Sequence, residues 1–295
     1  MTKLTIVVNC TERKSHKPSP QLQVRSLPDG NVPDRVRHWQ RRVQDAAPAS
    51  ALIDLYQGEA WQQVRGLVGD ATRMGFDVRL LVASAGLGLR DANSKAPAYA
   101  ATFATGHPDT VAPTGSPSQS WWKALTTFEG SGSLTETTDE RVLLVLSETY
   151  ARAMNDELTS LARRGGDLLL VGGSRDTDGL PRIPADMGLR RQLGGTASSI
   201  TLRMARRWLA KSRGGTLYNT ATSRRWLKWA DSVSELERYD RTPTDDPTLR
   251  ELIRHLKAAD PSLSATRALR KLRDSGVACE QKRFGRLFHS TEGAR

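Results

Sequence analysis

The chain has 295 residues, 38% of them hydrophobic, and its 44 Lys and Arg against 32 Asp and Glu leave a net charge of +12. That length can bury a core without disulfides or metals, and that charge favours polyanionic partners: nucleic acid, anionic lipid or acidic protein. Cys10 and Cys279 stand too far apart for a disulfide scaffold or a Cys-x-x-Cys zinc site, and His16, His38, His107, His255 and His289 show no metal-ligand spacing, so neither metal nor cofactor is expected. No apolar run reaches the roughly 20 residues of a membrane span. The N-terminus lacks the basic-then-apolar plan of a signal peptide. A cytoplasmic protein without membrane association or an obligate protein partner is the expectation.

Leu4-Thr5-Ile6-Val7-Val8 reads as a buried first strand running into Asn9-Cys10. After a polar stretch, Pro33 to Ala46 reads as a helix with proline in its first turn. A second helix spans Gln57 to Met74, since Ala60, Trp61, Val64, Leu67, Val68 and Ala71 recur at three- and four-residue spacing. Strands follow at Val78–Val82, Val142–Leu146 and Leu168–Val171, with helices at Gln119–Phe128 and Glu148–Arg164. Between Leu89 and Ser118 lies a long irregular segment, and segments of that length are often functional. The alternation predicts an α/β fold with a mostly parallel central sheet and flanking helices.

From Met187 to Ala230 there are ten basic residues, including Arg203, Arg206, Arg207, Lys211 and Arg213, and no acidic ones. Trp208, Tyr218, Trp226 and Trp229 are interspersed. Such a segment suits the phosphate backbone of nucleic acid, and a basic but solvated surface is the plainer alternative. Residues 1–240 are read as the α/β domain carrying this basic helical segment (187–230). Thr242 to Asp246 is read as a linker, and 246–295 as a small all-α module.

In that module Asp246-Pro247 starts a helix bearing Leu249, Leu252, Ile253 and Leu256. Ser264 caps a second, ended by Gly276, and a third carries Phe284, Leu287 and Phe288. Three short helices with a basic last one fit a helix-turn-helix reader of DNA. Lys282, Arg283 and Arg286 would face the groove, and Arg267, Arg270, Lys271 and Arg273 the phosphates. A bundle used for protein contact is the alternative.

Four motifs occur in order: Asn9-Cys10-Thr11-Glu12-Arg13-Lys14-Ser15, Asp54-Leu55-Tyr56-Gln57-Gly58-Glu59, Ser84-Ala85-Gly86-Leu87-Gly88-Leu89 and Pro97-Ala98-Tyr99. They resemble the YaaA-like domain proteins, and among these the phage-defence DNA glycosylases that excise glucosylated hydroxymethylcytosine. The likeness covers about residues 1 to 105. It implies a DNA-associated, glycosylase-like fold, double-stranded DNA as partner and excision of a modified base.

Independently, ligands of open parallel sheets sit beyond the C-terminal strand ends, where the Cys10–Ser15 and Ser84–Leu89 loops belong. Their hydroxyls and amides, with Arg13 and Lys14, suit a phosphate or an abasic sugar. The Ser84–Gly86 stretch can equally be a tight structural turn. Base excision needs a pocket and stacking aromatic rings, for which Cys10, Tyr56, Ser84, Gly86 and Tyr99 are candidates. It also needs a carboxylate, for which Asp91 comes first and Asp54 and Glu59 next. Each carboxylate can equally be a surface or capping group, and each tyrosine a core residue. Lys14 is a candidate phosphate contact or, as an amine, a candidate nucleophile. The competing functions are a non-catalytic DNA-binding stress-response or regulatory protein, and modification of a tRNA base.

Overall fold

In a computed structural model, described for residues 2–48, 50–112, 115–128, 130–136, 141–212, 215–235 and 241–291, the chain forms two compact units, Met1–Leu236 and Glu237–Arg295. The first is α/β. Its six-stranded sheet comprises β1 (Thr2–Asn9), β2 (Phe76–Ser84), β3 (Gly88–Asp91), β4 (Arg141–Leu146), β5 (Asp167–Gly172) and β6 (Arg182–Ile183), in the order β3-β2-β1-β4-β5-β6. All neighbouring pairs are parallel except β2 with β3. Successive residues of β1, β4 and β5 are buried whichever face they point to. Such near-continuous apolar runs are what a parallel sheet covered on both sides requires.

The helices longer than four residues are α1 (Val32–Gln44), α2 (Glu59–Arg73), α3 (Ser116–Leu125), α4 (Glu148–Ala153), α5 (Asn155–Arg164), α6 (Ile200–Ser212) and α7 (Thr220–Val233). Helix α2 packs on β2 through its buried Val64, Leu67 and Ala71, and α6 packs on α2, β4 and β5. A second group is formed by α1, α3 and α4, packed in succession. The sheet grows in opposite directions from β1 and β4, so a crevice opens between the C-terminal ends of these two strands. Open α/β sheets bind ligands at such a switch point.

Three expectations change. The helix expected over Glu148–Arg164 is two helices divided at Met154, a fully buried side chain at a non-helical ψ of 10°. The segment after Leu89 is not irregular at its start, because Arg90 and Asp91 continue β3, which runs antiparallel to β2. Beyond it, the Ala100 amide and carbonyl bond Leu22 and Val24, which anchors the loop on another segment. Finally, Thr242–Pro243 is not a linker. It pairs with Val277–Ala278 inside the second unit.

That second unit consists of α8 (Asp246–Ala259), α9 (Ala265–Asp274) and α10 (Gln281–Ser290). Their core is Leu249, Ile253, Leu263, Ala268, Leu269, Leu272, Cys279, Phe284, Leu287 and Phe288. Each helix starts with a side-chain cap: Asp245, Ser264 and Glu280 accept from amides of the first turn. No helix of the described residues is long and apolar enough to cross a membrane.

Gly172 ends β5 at a φ of +96° beside β4, where a Cβ would run into the Leu146 carbonyl oxygen. Gly172→Ala is expected to cost about 1–3 kcal/mol, read as a lowered thermal or urea midpoint.

Candidate functional site

The crevice is built by the residues that follow β1 and β4. Asn9 Oδ1 accepts from the Ser147 amide at 3.3 Å and bridges the two strand ends. Cys10 Sγ lies 3.1 Å from the hydroxyl of Tyr150 on α4. The chain then turns through Thr11–Ser15, held by Gln57 N–H to Arg13 O at 2.9 Å and Ser15 N–H to Leu55 O at 2.8 Å. This puts the Lys14 side chain against two tyrosines, with Nζ 4.4 Å from the Tyr99 ring centre and 5.5 Å from that of Tyr56. Lys14 Nζ donates to the carbonyls of Thr11 (3.1 Å) and Glu12 (3.3 Å). Burial holds its pKa below the ordinary lysine value, and the charges of Cys10, Glu12 and Asp109 only partly offset that. A desolvated ammonium loses its proton more readily.

Behind Lys14 runs a chain of three buried hydroxyls. Ser84 Oγ accepts from the amides of Gly86 (3.1 Å) and Leu87 (3.0 Å). It lies 2.5 Å from the Tyr99 hydroxyl, which lies 2.6 Å from that of Tyr56. With both Ser84 lone pairs occupied, the protons run from Ser84 to Tyr99 and from Tyr99 to Tyr56. The Tyr56 proton is then the one without an acceptor in this chain of three. Burial, and next the charge of Cys10, push the phenols of Tyr56, Tyr99 and Tyr150 well above their usual range, so all three stay protonated at neutral pH.

The turn beneath this chain is fixed by indoles. Trp39 Nε1 donates to Gly86 O at 2.7 Å, and Trp121 Nε1 to Ala85 O at 2.8 Å. Gly86 has a packing reason to lack a side chain: a Cβ would sit 2.6 Å from the Tyr99 ring.

A second polar group borders the loop. Asp109 is 1% exposed and accepts from the Arg25 amide at 3.1 Å and from its guanidinium. Burial pushes its carboxyl up, but the Arg25 bonds outweigh this and hold it below the usual carboxylate value. The Asp109 amide donates to His107 Nδ1 at 3.0 Å. The proton of neutral His107 is therefore on Nε2, which donates to Glu12 Oε1 at 3.1 Å.

The structure thus gathers Cys10, Lys14, Tyr56, Ser84, Gly86 and Tyr99, all expected on the site, and adds Glu12, His107, Asp109 and Tyr150. Glu12 was visible in the sequence between Cys10 and Lys14. Tyr150 and the His107–Asp109 pair carried no local signal.

The expected carboxylates lie elsewhere. Asp91 faces Leu81 across the β2–β3 ladder, three residues back from Ser84, or about 10 Å along the strand. It meets Arg79 at 3.5 Å, caps the Asn93 amide and lines a small hollow of about 130 Å³. Asp54 is 69% exposed and paired with Arg65 at 3.1 Å. Glu59 accepts from Arg203 (2.7 Å) and Thr196 (2.9 Å), tying α2 to α6. The stacking role of Tyr56 and Tyr99 also changes. They are 1% and 0% exposed, and edge contacts from Trp61 and Trp39 cover their rings.

The expected DNA-contacting cations divide. Arg203 and Arg206 are spent on Glu59 and on Asp70 (2.7 Å), and Arg207 lies over Trp229 at 3.8 Å. Arg283 is bound to Asp246 and to the Thr244 carbonyl. Arg13, Lys211, Arg267, Arg270, Lys271, Lys282 and Arg286 are exposed. Arg213 lies outside the described residues. Trp208 and Trp226 are core residues at 1% and 4% exposure, not exposed nucleic-acid contacts. A cavity of about 460 Å³ is lined by Val43, Leu52, Leu87, Arg90, Lys95 and Phe128 among others, and Lys14 is not part of its lining.

No protein-family model, curated protein or solved structure matches the chain. The likeness to the YaaA-like proteins is carried by the four motifs alone.

Tyr99→Phe cuts the hydroxyl chain and leaves two buried partners unmatched. A loss of about 1–3 kcal/mol in urea unfolding is expected. For Asp109, the folded pKa lies below the unfolded value, so its contribution is present above the unfolded pKa and fades as pH falls through the folded one. The stability gap between wild type and Asp109→Asn should therefore be constant near neutrality and shrink below about pH 4.

Proposed function

We propose that the protein is a DNA glycosylase-like hydrolase that binds duplex DNA, extrudes a modified cytosine and breaks its N-glycosidic bond in defence against phage. The glucosylated hydroxymethylcytosine of T-even-type phage DNA is the substrate class. One observation carries the reading. A desolvated amine, a thiol and a chain of protonated hydroxyls meet at the sheet crevice, within the motifs that resemble the phage-defence glycosylases. A base flipped out of the stack must be met by such a set of donors and by groups that act on the anomeric carbon. The exposed cations on α9 and α10 suit the phosphates, and a helix-turn-helix use of α10 in the major groove belongs to the same reading.

The closed rings of Tyr56 and Tyr99 favour a second reading, a non-catalytic DNA-binding regulatory protein. In the enzyme, those rings act as a hydroxyl relay rather than as stacking plates, and the base lies on the outer side of Lys14.

Incubation with T-even-type DNA and with unmodified DNA separates the two. The enzyme should create abasic sites in the modified DNA alone. Binding without base release from any modified DNA overturns the glycosylase and leaves the binder. For either, affinity should fall steeply with salt, and Arg267→Ala or Lys271→Ala should each lower the log–log salt slope by about 1.

A further inference from the structure

We propose that Lys14 is a covalent nucleophile, so that the protein also acts as an abasic-site lyase. This rests on the base-excision reading and names the chemistry of the same site. Three features single out this amine. Its described polar partners are two carbonyl oxygens, which orient the nitrogen without supplying a countercharge. No carboxylate is paired with it among the described residues, whereas Arg203, Arg206 and Arg283 each have one. It lies over the Tyr99 ring in a half-buried position on the loop that follows β1. A lysine placed only for phosphate contact would gain from full hydration and full charge; desolvation works against that and favours the neutral, nucleophilic form.

The Lys14 lone pair attacks C1′ of the ring-opened abasic aldehyde, and the carbinolamine loses its oxygen as water to give an iminium. A base then removes a proton from C2′, and the electron pair moves to expel the 3′-phosphate, whose bond to C3′ breaks. Water hydrolyses the remaining imine, releasing the unsaturated sugar and restoring the amine. Glu12 is the proton acceptor the geometry supplies. It is next but one to Lys14, its carbonyl holds the Lys14 ammonium, and His107 Nε2–H orients its carboxylate.

The test uses the full chain and duplex DNA carrying one preformed abasic site, with no modified base present, so it does not depend on base recognition. With sodium borohydride, a covalent protein–DNA adduct should form, and mass spectrometry of the digested wild-type adduct should place it on Lys14. Lys14→Arg, which keeps the charge, should drop trapping to the level seen without borohydride. Glu12→Gln should still be trapped but should cleave the strand on the order of 100-fold more slowly. No adduct, or an adduct on a different lysine, overturns the proposal. Unchanged cleavage by Glu12→Gln removes Glu12 from it. Base release from modified DNA without trapping would leave the glycosylase standing and the lyase refuted; trapping without base release would do the reverse.

Discussion

The α/β unit depends on how a buried turn satisfies its own backbone. Between β2 and β3 the chain reverses inside the core, and Ala85 and Gly86 each leave a carbonyl there without a ladder partner. Each such orphan costs about 1–3 kcal/mol in a dry interior. Two indoles remove that cost, Trp39 from α1 and Trp121 from α3, while Ser84 takes the amides of Gly86 and Leu87. Four separate stretches of chain are thereby pinned to one point, because Tyr99 must also close on Gly86 to reach the Ser84 hydroxyl. Helix placement in this half of the unit is the price of folding a turn inward.

That pinning also makes the candidate site. Tyr99 is held from below by Ser84 and from the side by Tyr56, so its ring becomes a fixed floor for Lys14. An amine on such a floor is desolvated without being neutralised by a carboxylate. Stability and reactivity therefore share the same residues: the hydroxyl chain that satisfies the core orients the groups under the amine. Beside it, Arg25, Asp109, His107 and Glu12 form a line of charged and polar contacts leading from the buried carboxylate to the exposed one.

Charge follows a different logic. The basic stretch from Met187 to Ala230 looks like a nucleic-acid surface when read linearly. In space, Arg203 and Arg206 fasten α6 to α2 through Glu59 and Asp70, acids more than 130 residues away in the chain. Their work is to join two helices across polar rims whose other faces are buried. Exposed cations remain at Arg191, Lys211, Arg224, Arg225 and Lys228 and on the helices of the second unit, where Arg283 closes α10 onto the start of α8.

The sequence by itself determined β1, β2, β4, β5 and most helices, because hydrophobic periodicity and caps are local properties. It also determined the loop that carries the amine, through the run Cys10 to Ser15. It did not determine which acid belongs beside that loop. Asp91, Asp54 and Glu59 stood out by closeness to motif residues in the chain, and each meets an arginine that the fold brings from 11 or more residues away. Only the tertiary structure decided that Tyr150 and the His107–Asp109 pair join Cys10, Glu12 and Lys14, and that Tyr56 and Tyr99 are covered rather than open. The reason is physical: a residue's charge, hydration and hydrogen-bond partners are set by what packs against it in space, and sequence spacing reports only the partners within a turn or a strand.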